Sequence, residues 1–213
     1  MTHLAAFEAA FAQCPLVAIL RGVRPHEVEG IGDALVDAGF TIIEVPLNSP
    51  DPFDSIARLA GRLAGRAVIG AGTVLKTDDV ARVGDAGGTL IISPNTDVCV
   101  IAASAAAGYV AMPGIATPSE AFAALDAGAT ALKLFPAEGS SPAVLKAMRA
   151  VLPAATRVLP VGGIAPGGMT PWLRAGAAGF GLGSALYQPG LAAADVGTRA
   201  AAFVTALAEA RRS

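Results

Sequence analysis

A chain of 213 residues that is 54% hydrophobic but only 15% charged falls well below the roughly 25% charge of an average soluble domain. Its apolar surface must therefore be covered, either inside a well-filled core or between subunits. A net charge of −2 without any Lys/Arg cluster argues against nucleic acid as a partner, and no uninterrupted apolar run reaches the roughly 18 residues of a membrane span.

An amphipathic helix over 3–13 leads into a first strand at 16–21, followed by a helix at 25–38 and a strand at 41–47. The alternation continues with helix 53–63 and strand 67–73, helix 77–86 and strand 89–93, and helix 97–107 and strand 109–113. Helices at 118–127, 142–150 and 168–175 then alternate with strands at 130–135, 157–162 and 178–183, before a last helix at 193–211. Ala-Gly pairs at 38–39, 64–65, 86–87, 107–108, 127–128 and 175–176 mark where six of the helices stop, because glycine suits the left-handed position that ends a helix. Eight strands alternating with helices, with no linker or composition shift, predict a single (β/α)8 TIM barrel over 1–213 with an extra N-terminal helix. A doubly wound open sheet fits the same alternation. It is disfavoured because no G-x-G-x-x-G follows the first strand and polar residues end at least six strands.

The start of the chain has an acid at Glu8 and no basic stretch, so it does not read as an export signal, and a cytoplasmic location is expected. Cys14 and Cys99 are expected to be buried thiols rather than a disulfide. His3 and His26 lie near no other ligand-type cluster, so no metal site is expected.

The chemistry-bearing residues stand out against this apolar background. In Thr130-Ala131-Leu132-Lys133-Leu134-Phe135, period-two alternation sets Ala131, Lys133 and Phe135 on one face. The other two lysines, Lys76 and Lys146, fall at helical positions compatible with solvent. A lysine in a mid-strand apolar run either snorkels, forms a structural ion pair, or is used chemically. A free lysine, with pKa about 10.4, is only about 0.1% neutral near pH 7.4, so an imine-forming lysine needs desolvation or a neighbouring cation.

Arg21, at the end of the strand over 16–21, is a candidate for that cation. It also suits a two-pronged grip on a substrate carboxylate, and a rim salt bridge is the plainer alternative. Glu44, set inside Ile42-Ile43-Glu44-Val45, is an acid that burial and a nearby cation would tune toward neutral pH, or a simple ion-pair partner of Lys133. Val161-Gly162-Gly163 follows the strand over 157–162. Gly181-Leu182-Gly183-Ser184 ends the strand over 178–183 and is expected to open a short helix. Together these loops suit a phosphate, whereas tight turns without a ligand would need the same glycines.

These residues fall within longer stretches that resemble the 2-keto-3-deoxy-6-phosphogluconate/4-hydroxy-2-oxoglutarate aldolase family along essentially the whole chain. The matching stretches are Val17-Ala18-Ile19-Leu20-Arg21-Gly22, Asp37 through Pro50, Ile69-Gly70-Ala71-Gly72-Thr73-Val74-Leu75, Ser93-Pro94-Asn95 and Ala131 through Ala137, with the two glycine loops. The resemblance implies a homotrimer that needs no cofactor and cleaves a phosphorylated 2-keto-3-deoxy sugar acid, with Lys133 as the Schiff-base residue and Glu44 as general acid/base. It implies that Arg21, Thr73 and the backbone near Pro94 meet the pyruvyl carboxylate end and that Phe135 lines the same site. It also assigns the phosphate to Gly162, Gly163 and Ser184, with Gly183 among the substrate-binding residues. Pro46-Leu47-Asn48 stands where the gluconate branch reads Thr-Leu-Arg, which points to the galactonate branch. Gly168 replaces an asparagine common in relatives and bears on how the following helix is capped. Two other functions compete: a phosphosugar epimerase using Glu44 without a covalent intermediate, and a non-catalytic phosphosugar-binding protein. The first lacks a second acid/base opposite Glu44, and the second does not explain why both Lys133 and Glu44 are present.

Overall fold

The computed structural model describes residues 2–212. Its elements run α1 (His3–Gln13), β1 (Leu16–Ile19), α2 (Pro25–Asp37), β2 (Ile42–Pro46), α3 (Pro52–Arg62), β3 (Val68–Gly72), α4 (Thr77–Asp85), β4 (Leu90–Ile92), α5 (Val98–Ala106) and β5 (Val110–Met112). Then come β6 (Gly114–Ile115), α6 (Pro118–Asp126), β7 (Leu132–Leu134), α7 (Pro142–Arg149), β8 (Val158–Pro160), α8 (Met169–Arg174), β9 (Phe180–Leu182) and α9 (Ala193–Arg212). Short 3-10 turns at Ala137–Gly139 and Pro166–Gly168 follow β7 and precede α8. No helix among the described residues is long and apolar enough to cross a membrane.

Local chemistry explains many of the boundaries. Pro25, Pro52, Pro118 and Pro142 open their helices, where a missing amide costs nothing. Asp97 accepts from the amides of Cys99 and Val100, and Thr117 forms a reciprocal capping box with Glu120. The six Ala-Gly stops end in left-handed glycines. At Gly39, for example, φ is +104°, and the Gly39 and Phe40 amides donate to the carbonyls of Val36 and Leu35, closing α2 in a Schellman motif. Gly168, by contrast, offers α8 no side-chain cap. Cys14 is buried as expected, but Cys99, the second residue of α5, is exposed.

The expected closed eight-stranded (β/α)8 barrel is not what the strands form. All ladders are parallel, but they make a six-stranded sheet in the order β5-β4-β3-β2-β1-β9 and a separate three-stranded sheet β6-β7-β8. The break after β5 falls at Pro113, which has no amide to donate, and there the amides of both Thr130 and Ala131 turn to the single carbonyl of Ala111. At the other seam β8 ends at Pro160, and no ladder to β9 forms among the described residues, where an isolated bridge, Val161 to Gly181, and the Ala178 amide donating to the Val158 carbonyl link the two edges.

Alternation along the strands divides the core into two layers. Val17, Ile42, Val68, Leu90, Val110, Ala131 and Leu159 form the inner cluster, which Phe7 and Phe11 of α1 close from below. Leu16, Ala18, Ile43, Ile69 and Leu132 face outward, into the larger layer shared with the helices. Two anchors hold α1 across this floor. Thr41 Oγ1 donates to the carbonyl of Ala10 at 2.8 Å, and Arg157 grips Glu8 through two hydrogen bonds of 2.7 and 2.6 Å.

Candidate active site

One step along each strand beyond Ile42 and Ala131, the inner face turns from apolar to charged. Glu44 stands on β2, with Ile19 and Gly70 as its register partners, and Lys133 stands on β7, between Gly114 and Leu159. Glu44 is 1% exposed and Lys133 5%. The Lys133 amine lies 4.7 Å from the centre of the Phe135 ring.

Burial acts on the two groups in opposite senses, because it penalises whichever form is charged. It pushes the Glu44 carboxyl up to about 7, against the pull of Lys133 and Arg21. It pushes the Lys133 ammonium down, while the Glu44 charge raises it and Arg21 lowers it further. Glu44 Oε2 is buried with no hydrogen-bond partner. A buried acid with a free oxygen, within electrostatic reach of a buried amine, is an arrangement suited to moving protons at neutral pH.

Lys133 opens on a pocket of about 300 Å³ whose walls include Arg21, Phe135, Gly162, Gly163, Gly183, Ser184 and Tyr187. Thus seven of the expected site residues, Lys133 among them, meet in one cavity. Glu44, Thr73 and Pro94 are not part of its walls. Glu44 acts there through its charge on Lys133 and Arg21. Pro94 is connected through Gly114, the register partner of Lys133, where any Cβ would fall 2.2 Å from the Pro94 carbonyl oxygen. Thr73, just past β3, holds the left-handed conformation at φ +57°, which is rare for a β-branched residue.

Arg21 lies in the turn two residues beyond β1 rather than within the strand. Its Nη1 donates to Asn48 Oδ1 at 2.5 Å, and the next amide, Gly22 N–H, donates to Ser49 Oγ at 2.9 Å. The loop after β2 therefore holds the loop after β1 at two consecutive residues. Gly162 (φ +110°) and Gly163 (φ +64°) need glycine's freedom to turn their loop into the pocket. The Gly183-Ser184 segment is a single turn, with the Leu186 and Tyr187 amides donating to the Gly183 carbonyl, rather than the helix expected after this strand.

Four neighbours escaped the sequence reading as site residues. Asn48 and Ser49 lie inside a quoted motif but carry no sign of whom they bond. Tyr187 is buried in the pocket wall, and its hydroxyl donates to Glu27 Oε1 at 2.9 Å. Glu138, directly after Ala137, lies against the Gly162-Gly163 loop, and a Cβ on Gly162 would fall 2.1 Å from its Oε2. An exposed acid or a lone tyrosine has too many ordinary uses for its position to be read from sequence.

Parallel strands thus bring a buried lysine to a pocket ringed by two glycine loops, with a buried glutamate acting on that lysine from outside the walls. The chain belongs to the KDPG and KHG aldolase family, whose model matches residues 7–200. It is 49% identical over 192 residues to the probable 2-dehydro-3-deoxy-6-phosphogalactonate aldolase of Rhizobium meliloti strain 1021, covering 90% of this chain and 91% of that one. It is 45% identical to the 2-dehydro-3-deoxy-6-phosphogalactonate aldolase of Escherichia coli K12, over 92% of this chain and 96% of that protein. Among solved structures, one described as native KDPGal superposes with a TM-score of 0.93 at 44% identity, covering 94% of this chain and 98% of that one.

Proposed function

We propose that this chain is a class I aldolase that cleaves 2-dehydro-3-deoxy-6-phosphogalactonate into pyruvate and glyceraldehyde 3-phosphate through an imine on Lys133. The observation that carries this is the buried pair: a 5%-exposed lysine that burial shifts toward its neutral amine, within electrostatic reach of a 1%-exposed glutamate whose carboxyl burial pushes up to about 7.

The neutral Lys133 amine adds to the C2 ketone, and uptake of one proton with loss of water leaves a protonated imine. That cation draws in the electron pair of the C3–C4 bond as Glu44 takes the proton of the C4 hydroxyl, and the aldehyde departs. Glu44 then returns a proton to C3 of the enamine, and hydrolysis of the imine frees pyruvate and restores the amine. The imine is the electron sink, so these steps call on no cofactor. Arg21, Thr73 and the backbone at Pro94 orient the carboxylate end and Phe135 packs beside it, while Gly162, Gly163, Gly183 and Ser184 receive the phosphate.

The galactonate-derived substrate is supported by the names of the relatives at 49% and 45% identity and by Pro46-Leu47-Asn48. A second reading, cleavage of the gluconate-derived 6-phosphate, is favoured by the family's own description. The two differ at one hydroxyl, so kcat/KM measured on both compounds, with pyruvate read through lactate dehydrogenase, decides. A higher value for the galactonate compound is expected. A preference for the gluconate compound would reverse the substrate while leaving the chemistry intact.

The working assembly in this reading is a homotrimer. High apolar content and the exposed Leu75, Val98, Phe122 and Val144 support burial between copies. Light scattering at three times the 21.1 kDa chain mass is expected, and a monomer would contradict it.

A further inference from the structure

The Glu44 carboxylate has to be held in one place although its Oε2 has no hydrogen-bond partner, and β3 supplies the shape that does so. In the ladder between β2 and β3, Glu44 lies opposite Gly70 and Pro46 opposite Gly72. Residues 70 and 72 share one face of β3, and neither carries a side chain. The two glycines serve different ends. A Cβ on Gly70 would fall 2.0 Å from the carbonyl oxygen of Leu90, so that glycine lets the backbone of β4 approach. A Cβ on Gly72 would have the Glu44 carboxylate as its three nearest neighbours, at 1.8 Å from Oε2, 2.4 Å from Cδ and 2.5 Å from Oε1.

We propose that Gly72 is a positioning residue for the aldolase reaction: its bare backbone is the seat on which the Glu44 carboxylate rests. The proposal depends on Glu44 being the acid/base, as read above. Gly72 lies within β3 and is not among the residues of positive φ, so its backbone would accept alanine. The atoms that alanine would displace are the end of one flexible side chain. A methyl group there moves the carboxylate and leaves the strand in place.

Gly72→Ala is therefore expected to fold with a Tm near that of the parent. Its kcat should fall roughly 10²-fold, the cost of about 1 Å of misplacement at a reacting group, with KM for the phosphorylated substrate unchanged. Adding Glu44→Asp, one methylene shorter, to Gly72→Ala should recover about tenfold, a coupling typical of side chains in contact, although Glu44→Asp alone lowers activity. A Gly72→Ala enzyme as fast as the parent, or a loss that Glu44→Asp does not relieve, overturns the proposal. Should the single variant fail to fold, the double variant carries the test, and its failure to fold overturns the proposal as well. Glu44→Gln separates the two layers of inference. An inactive Glu44→Gln beside a fully active Gly72→Ala removes only the seat, whereas a fully active Glu44→Gln removes the acid/base assignment and the seat with it.

Discussion

Glu44 and Lys133 are displaced in opposite directions by one cause, removal from water, and each is pulled partly back by the other's charge. This coupling has a sign that can be measured. Glutamine at position 44 removes the attraction that keeps a proton on Lys133, while burial and the Arg21 charge, both of which push it off, remain. The amine of Glu44→Gln should therefore titrate at lower pH than that of the parent. The fraction of enzyme trapped by borohydride with pyruvate at equilibrium, followed against pH, is expected to have its midpoint displaced toward acid. Displacement toward alkali would show that the carboxylate does not act on the lysine as described. Arg21 is the weakest of the three influences on both groups and is itself exposed, so in the proposed reaction its main part is to present a guanidinium, steadied by Asn48, to the substrate carboxylate.

At the scale of elements, the order of strands and helices was legible because punctuation and periodicity agree. Left-handed glycines such as Gly39 and Gly128 stop helices where the following apolar run starts a strand. Lys133 and Glu44 were legible for the opposite reason: each is a charge that breaks an apolar strand pattern, and few structural roles tolerate that. Closure of the sheet was not legible. Whether β5 ladders onto β7, or β8 onto β9, is decided by hydrogen bonds around Pro113 and Pro160, and alternation along one strand carries no information about its neighbour. The strand expected over 109–113 accordingly shortens to β5, a further strand, β6, follows just past Pro113, and the expected helix after Gly183 shrinks to one turn. Gly72 was hidden in a different way. A glycine in a strand usually signals a close backbone approach, which is true of Gly70, and only the position of the Glu44 carboxylate distinguishes the two.

Across the whole molecule, polarity is graded along the strands. Phe7, Phe11 and the lower inner layer form a dry base, the Glu44–Lys133 pair lies above it, and the glycine loops and Arg21 surround the mouth of the pocket. The dry base strips water from the pair, and the polar mouth offers places for an anion at each side. The account stands on one amine reacting with a keto acid in this setting, and the most direct measurement is mass analysis of peptides after treatment with pyruvate and borohydride. The account predicts one reduced pyruvyl group, carried by the peptide containing Lys133 and absent when Lys133 is replaced by alanine. An unmodified Lys133 peptide from enzyme that still cleaves its substrate would contradict it.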